Sequence, residues 1–235
     1  MTKPVANGPA TREEVRQIFT QIAPHYDQMN RLMTGGMDRR WRQEVIRRTH
    51  LPPGGRLLDL GTGTGDLARE ALRQHPDGQV VAADFTLPMM QLGKKRPGAP
   101  QNWAAADALQ LPFPDNHFEA LVSGFLLRNV VDLPGALREQ HRVLKPGGWW
   151  VALDTTHPER NVLSPIIHLY MHRIIPFLGW LLAGQVEAYT YLPDTSEKFL
   201  AAEKLKSLLV AAGFNDVGFH RLNFGTIAIH WGQKR

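Results

Sequence analysis

The sequence predicts an α/β fold: an open, doubly wound sheet of seven strands, mostly parallel, with an antiparallel C-terminal strand and a helical insertion after the fifth strand. Three observations predict it. Between Arg56 and Thr156, short apolar runs alternate with helical patterns, which requires right-handed βαβ crossovers and parallel pairing. Those runs are almost unbroken in apolar residues, as strands are when helices cover both faces. Near the C-terminus, two more runs flank Asn223, Phe224 and Gly225, a turn that joins an antiparallel pair.

A loose tail over 1–10 leads to a helix capped at Thr11, with Glu14 three residues on completing a capping box. A helical cap extends over 11–50. The five strands are "RLLDLG", "QVVAADF", "WAAAD", "FEALVSGF" and "GWWVALDTT". The helices between them are "GDLAREALRQH", "LPMMQLGKK" and "LPGALREQHRVLK". Residues 158–190 change texture, with prolines among many large apolar residues, and read as an insertion. "SEKFLAAEKLKSLLVAAGF" is a helix stopped by Gly213. "DVGFHRLNF" and "TIAIHWGQK" form the closing hairpin. No repeat interrupts this order, so 1–235 reads as one domain.

Composition supports a sizeable core: 43% of the 235 residues are hydrophobic and 21% charged. No cysteine is present, which excludes disulfides, thiolate metal sites and a cysteine nucleophile. Net charge is +5. A basic balance admits nucleic acid, an anionic membrane surface, an anionic substrate, or solubility alone. The N-terminal stretch has no signal-peptide apolar core, and no uncharged run reaches the roughly 18 residues of a membrane helix. The expectation is a soluble or peripheral protein, in the cytoplasm or at the inner face of the plasma membrane.

"LLDLGTGTGDLA" places Gly61, Gly63 and Gly65, with Thr62 and Thr64 between them, at the exit of the first strand and the start of a helix. Glycines there permit a tight turn and close approach of a ligand. Position 66 is Asp, not the third glycine of a dinucleotide loop, and a carboxylate there would repel a diphosphate. Asp59 could accept from an ammonium group. Asp84 ends the second strand, where an acid binds ribose hydroxyls, with Phe85 beside it. Asp107 and Ala108 end the third strand, where adenine could be held. Capping of helices is the alternative role for Asp84 and Asp107. An amino acid joined to a nucleoside is S-adenosylmethionine.

This ordered set resembles the class I methyltransferases, which implies a Rossmann-like fold. The flanks "FTQIAPHYDQMNRLMTGGMDRRWR", "LPFPDNHFEALVSGFLLRNV" and "AYTYLPDTSEKF…AAGF…FGTIAIHWG" are similar to the ubiquinone/menaquinone biosynthesis C-methyltransferases. The resemblance implies ring methylation of a polyprenylated hydroquinone, demethylmenaquinol first, with 2-methoxy-6-polyprenyl-1,4-benzoquinol or another small molecule or lipid as alternatives. A non-catalytic cofactor-binding assembly protein is the reading from a different class. The expected partners are the polyprenylated quinol, a transient membrane surface and a second copy of the chain, with no nucleic acid and no metal.

The strand-four ending usually reads Gly-Phe-Gly-Leu-Arg-Asn in that family; here Leu126 stands third, a bulkier residue where the substrate ring is expected. An aromatic carbon attacks a methyl group only when an adjacent hydroxyl becomes a phenolate. Arg128 is the expected stabiliser of that anion, and a water held by Arg128 and Asn129 the expected proton acceptor. The resemblance places Tyr26, Asp27 and Asn30, with Met33, over the cofactor and Tyr191 on the substrate side; Gly124 belongs to the cofactor wall. His230 on the last strand is a substrate-side acid or base, or a core residue. "SPIIHLYMHRIIPFLGWLLAG" lines a prenyl groove, touches a membrane, or is a core helix. His168 and His172 lack the glutamate of a zinc-protease motif. "RRWRQEVIRR" is a solvated helix face or a contact for anionic lipid.

Overall fold

The computed structural model describes residues 12–24, 26–157 and 199–235. Thr11, the 1–10 tail, the 158–190 insertion and Tyr191 lie outside the described residues.

Three helices precede the sheet: α1 (Arg12–Ile22), α2 (Tyr26–Met33) and α3 (Asp38–Arg47). Then come β1 (Arg56–Leu60), α4 (Asp66–Gln74), β2 (Gln79–Asp84), α5 (Leu87–Lys94), β3 (Asn102–Ala105) and β4 (Phe118–Gly124). A 3-10 turn, Leu127–Asn129, leads to α6 (Leu133–Val143) and β5 (Leu144–Thr155). The described chain ends with α7 (Ala202–Ala211), β6 (Phe214–Leu222) and β7 (Ile227–Lys234).

The seven strands are ordered β3-β2-β1-β4-β5-β7-β6. β7 enters between β5 and β6 and pairs antiparallel with both. The hairpin turn is Asn223, Phe224 and Gly225, all with positive φ. Between β1 and β4 the chain reverses its direction of winding, and this switch point is where open α/β sheets bind ligands.

Period-two alternation sends successive side chains to opposite faces. In β1, Leu58 and Leu60 join the core cluster that includes α6 and α7, while Leu57 joins the cluster under α3 and α4. Asp59 therefore shares the face of Leu57, beneath α4. In β5, Trp150 and Ala152 belong to the first cluster, and Val151 and Leu153 to the second. Truncating a fully buried leucine such as Leu57 or Leu58 to alanine would cost about 2–5 kcal/mol. α6 starts at Leu133, with Pro134 in its first turn, after the cap residue Asp132, whose side chain accepts from the Gly135 N–H at 3.0 Å.

Several expected boundaries move. α7 begins at Ala202, after non-helical residues 199–201, and β6 begins at Phe214 rather than Asp216. β3 ends at Ala105, so Asp107 lies in a turn beyond it, bridged to Gln110. β5 begins at Leu144, upstream of Gly148, because the Pro-Gly-Gly stretch is carried as an irregularity in its pairing with β4. The arginines of α3 flank buried Trp41, Val45 and Ile46, so the helix is amphipathic.

Candidate active site

A pocket opens at the carboxyl ends of β1, β2 and β4. Its walls include Gly61, Gly63, Asp84, Phe85, Asp107, Ala108, Gly124, Leu126 and Asn129. A smaller recess shares Tyr26, Gly61, Gly63, Gly124 and Phe125 with it and adds Asn30, Asp59, Thr62 and Thr64. The structure thus brings most of the sequence-selected residues to one crevice at the switch point.

The glycine loop is held by acids. Asp59 is fully buried; its Oδ2 accepts from the Thr62 hydroxyl at 2.5 Å and the Ala68 N–H at 3.0 Å. Its Oδ1 has no hydrogen-bond partner. Burial pushes the Asp59 carboxyl up to about 7, against the two hydrogen bonds that favour its anion. Asp84 accepts from the Gly63 N–H at 2.8 Å and the Thr86 N–H at 2.7 Å. Burial again raises its pKa, opposed by those backbone donors. Asp107 accepts from the Leu109 N–H at 2.9 Å. Glycine is required at position 61 twice over: φ is +68°, and an added Cβ would lie 2.8 Å from Leu126 Cδ1.

Asp66 does not present a bare carboxylate to the pocket. It pairs with Arg42 at 2.5 Å and with Arg69, and Arg42 also pairs with Asp38. The diphosphate is disfavoured by the absence of glycine at position 66, while the expected charge repulsion is largely neutralised.

α2 lies over the loop. Asp27 accepts from the Thr64 hydroxyl at 2.7 Å and pairs with Arg96. Tyr26 is half-buried against the loop, and desolvation raises its phenol pKa. Asn30, about one turn beyond Tyr26, has an Nδ2 without a partner. Met33 packs with Ile22 and Met29 in a separate apolar cluster and lines neither pocket, nor does Gly65, which caps α4 at φ +86°.

The β4 side differs from expectation in one respect. Asn129 lines the larger pocket, and its Nδ2 donates to the Phe125 carbonyl at 3.0 Å. Arg128 does not line it. Its guanidinium pairs with Asp154 at 2.9 Å, with side-chain exposures of 6% and 2%, and sits 5.0 Å from the Phe125 ring. His230 is 2% exposed and lines neither pocket; its Nε2 meets the Ala202 carbonyl at 3.0 Å, and burial lowers its pKa to about 4. The odd register that puts Ile229 and Trp231 on the α3 face sends His230 to the α7 face. Sequence reasoning missed Asp154, Arg42 and the pocket residues Val15 and Met89. Asp154 could have been suspected as a lone acid ending an apolar strand.

Strand order, glycine loop and acidic strand ends define the class: a class I methyltransferase fold. The chain matches the fold of a SAM-dependent methyltransferase from Thermotoga maritima with a TM-score of 0.67 at 18% identity, covering 93% of this chain and 99% of that one. The chain belongs to the ubiE/COQ5 methyltransferase family, whose model matches residues 8–234. It is 46% identical to the ubiquinone/menaquinone biosynthesis C-methyltransferase UbiE of Desulfotalea psychrophila, over 94% of this chain and 90% of that one. It is 42% identical to the demethylmenaquinone methyltransferase of Roseiflexus castenholzii, over 95% and 94%. The resemblance carried by the N-terminal, strand-four and C-terminal motifs is therefore one of family, and the protein is a methyltransferase. Among the described residues no helix is long and apolar enough to cross a membrane.

Proposed function

We propose that the protein transfers a methyl group from S-adenosylmethionine to a ring carbon of a polyprenylated hydroquinone, demethylmenaquinol foremost. The observation that carries the cofactor half is a pair of unsatisfied atoms in the smaller recess. Asp59 Oδ1 is an acceptor without a donor, and Asn30 Nδ2 a donor without an acceptor. An α-amino acid supplies both complements, an ammonium and a carboxylate. The names of the relatives support the acceptor half.

When bound, S-adenosylmethionine supplies an electrophilic methyl group on a sulfonium sulfur. Asp59 and Asn30 hold the amino-acid end, Asp84 meets the ribose hydroxyls, and Asp107 and Ala108 border the adenine. Tyr26, on the α2 lid, excludes water from the loop. Asn129 faces the acceptor. Arg128 stands behind it and lends positive charge to the developing phenolate, in part offset by Asp154. A water held at Asn129 takes the ring proton. Leu126 fills the space over Gly61, which keeps 2-methoxy-6-polyprenyl-1,4-benzoquinol as the second acceptor to test. A prenylated acceptor resides in a bilayer. Exposed Leu32 and Met37, beside exposed Arg31, Arg39 and Arg40, suit transient contact with an anionic membrane surface.

The test is incubation of the protein with methyl-labelled S-adenosylmethionine and, separately, demethylmenaquinol, the benzoquinol, phospholipid and RNA. Label in a quinol fraction is expected. Cofactor binding with no label in any acceptor would replace the enzyme reading with the non-catalytic one.

A further inference from the structure

At the end of β4 the chain does something costly. Phe125 has φ +58°, in the left-handed region that a bulky side chain enters at a cost of about 1–3 kcal/mol. Its ring lies in the wall shared by both pockets, so the strain is spent where ligands meet.

Three contacts hold it there. The Phe125 N–H donates to the Leu153 carbonyl at 2.7 Å. The Phe125 carbonyl accepts from Asn129 Nδ2 at 3.0 Å. Its ring is faced by the Arg128 guanidinium at 5.0 Å. Two of the three depend on the 3-10 turn that carries Arg128 and Asn129. One carboxylate organises that turn. Asp154 Oδ2 accepts from the Leu127 N–H at 2.8 Å and the Arg128 N–H at 3.4 Å. Asp154 Oδ1 accepts from Arg128 Nη1 at 2.9 Å and the Thr155 N–H at 2.8 Å. Asp154 is 1% exposed and lines neither pocket, so whatever it does for the reaction it does through these partners.

We propose that Asp154 is a positioning residue for methyl transfer: it clamps the 3-10 turn and Arg128, and through them holds the strained Phe125 and Asn129 in the pocket wall. The neutral isostere Asn at 154 keeps one acceptor but places an NH₂ group against the Leu127 N–H or the guanidinium. The turn then loosens, Phe125 relaxes toward negative φ, and the acceptor is misaligned. Geometry shifts of this size lower turnover by about a hundredfold. The cofactor is held chiefly from β1 and β2, so its binding is spared.

The inference rests on the methyl-transfer reading, and the experiment separates the two. Wild type, Asp154→Asn, Phe125→Gly and the double variant are compared by kcat and KM for demethylmenaquinol, by calorimetric affinity for S-adenosylmethionine, and by amide hydrogen exchange over residues 124–130. Asp154→Asn is expected to lose about a hundredfold in kcat with cofactor affinity within about threefold of wild type, and to exchange the Leu127 and Arg128 amides at least about tenfold faster. Phe125→Gly is expected to cost little more in the Asp154→Asn background, because the ring is already displaced. Wild-type kcat in Asp154→Asn, kcat and cofactor affinity falling in equal proportion, or strictly additive losses in the double variant would each overturn the proposal. Should Asp154→Asn fail to fold, Asp154→Glu decides: lower kcat with cofactor affinity retained supports it, and wild-type kcat overturns it. If wild type itself labels no quinol, the functional reading fails, and the exchange rates alone then decide whether Asp154 holds the turn.

Discussion

On the glycine-loop side of the crevice, Asp59 and Asp84 are held mainly by backbone N–H groups and one hydroxyl from the loop and helix starts around them. On the strand-four side, a buried cation, Arg128, is matched by a buried anion, Asp154, from the neighbouring strand. The first arrangement leaves an acceptor atom open on Asp59; the second engages both Asp154 oxygens and leaves Arg128 Nε as its open donor. Backbone donors are fixed dipoles that accept a ligand's groups without having to dissociate from a partner charge. A buried ion pair resists rearrangement, since removing one member strands the other at a cost of about 3–5 kcal/mol. The loop side thus offers a carboxylate oxygen to a ligand's cation, while the strand-four side uses its carboxylate to hold a turn and keeps a cationic donor free.

The sharpest way to break the comparison is a pair of substitutions expected to fail differently. Arg128→Ala should lower kcat with a quinol acceptor by at least about a hundredfold while cofactor affinity changes little. Asp84→Ala should weaken cofactor binding by at least about tenfold, since two buried N–H groups lose their acceptor as well. Calorimetry for the cofactor and steady-state kinetics for the quinol read both; identical profiles for the two variants would erase the distinction.

Gly61→Ala tests where the two sides touch. Positive φ and the 2.8 Å approach of Leu126 should together destabilise the variant by about 2–3 kcal/mol in urea unfolding. Adding Leu126→Gly should recover only the part due to contact, because the backbone strain stays. Full recovery would show that φ at position 61 costs nothing.

Asp59 sharpens the comparison through pH. Its folded value of about 7 lies above the usual carboxylate value of 3.8, so the folded protein holds a proton that the unfolded chain has released. Its contribution to stability is fully present below about 4 and is lost as pH rises through about 7. An ammonium needs the ionised form, so cofactor affinity should rise about tenfold between pH 5.5 and 7. Asp59→Asn should flatten both profiles, and a wild-type affinity independent of pH would show that Asp59 does not meet the ammonium.

The smallest effect is expected at the lid. Thr64→Ala removes the hydroxyl that donates to Asp27 at 2.7 Å, and should raise the cofactor off-rate a few-fold, about 1 kcal/mol, with stopped-flow fluorescence as the measurement.

Strand periodicity, glycines at a strand exit and acids at strand ends were legible because each is a local pattern whose physics acts within a few residues. His230 shows the limit. A polar residue on a terminal strand reads equally as a site or as core, and register alone sends it to the α7 face, away from both pockets. Asp66 shows another. Its charge at a helix start is visible in the chain, but Arg42, which neutralises it, comes from the helical cap.

By itself, the sequence determined the doubly wound class, the loop that ends β1, and the acids near the carboxyl ends of β2 and β3, since backbone sterics and hydrophobic periodicity leave few other arrangements. Only the tertiary structure decided what "LLRN" does at the end of β4. Arg128 meets a partner 26 residues away, and that pairing exists because parallel strands β4 and β5 lie side by side with their carboxyl ends at one edge. Charge pairing between strands is set by register and burial, and neither is written in either strand alone.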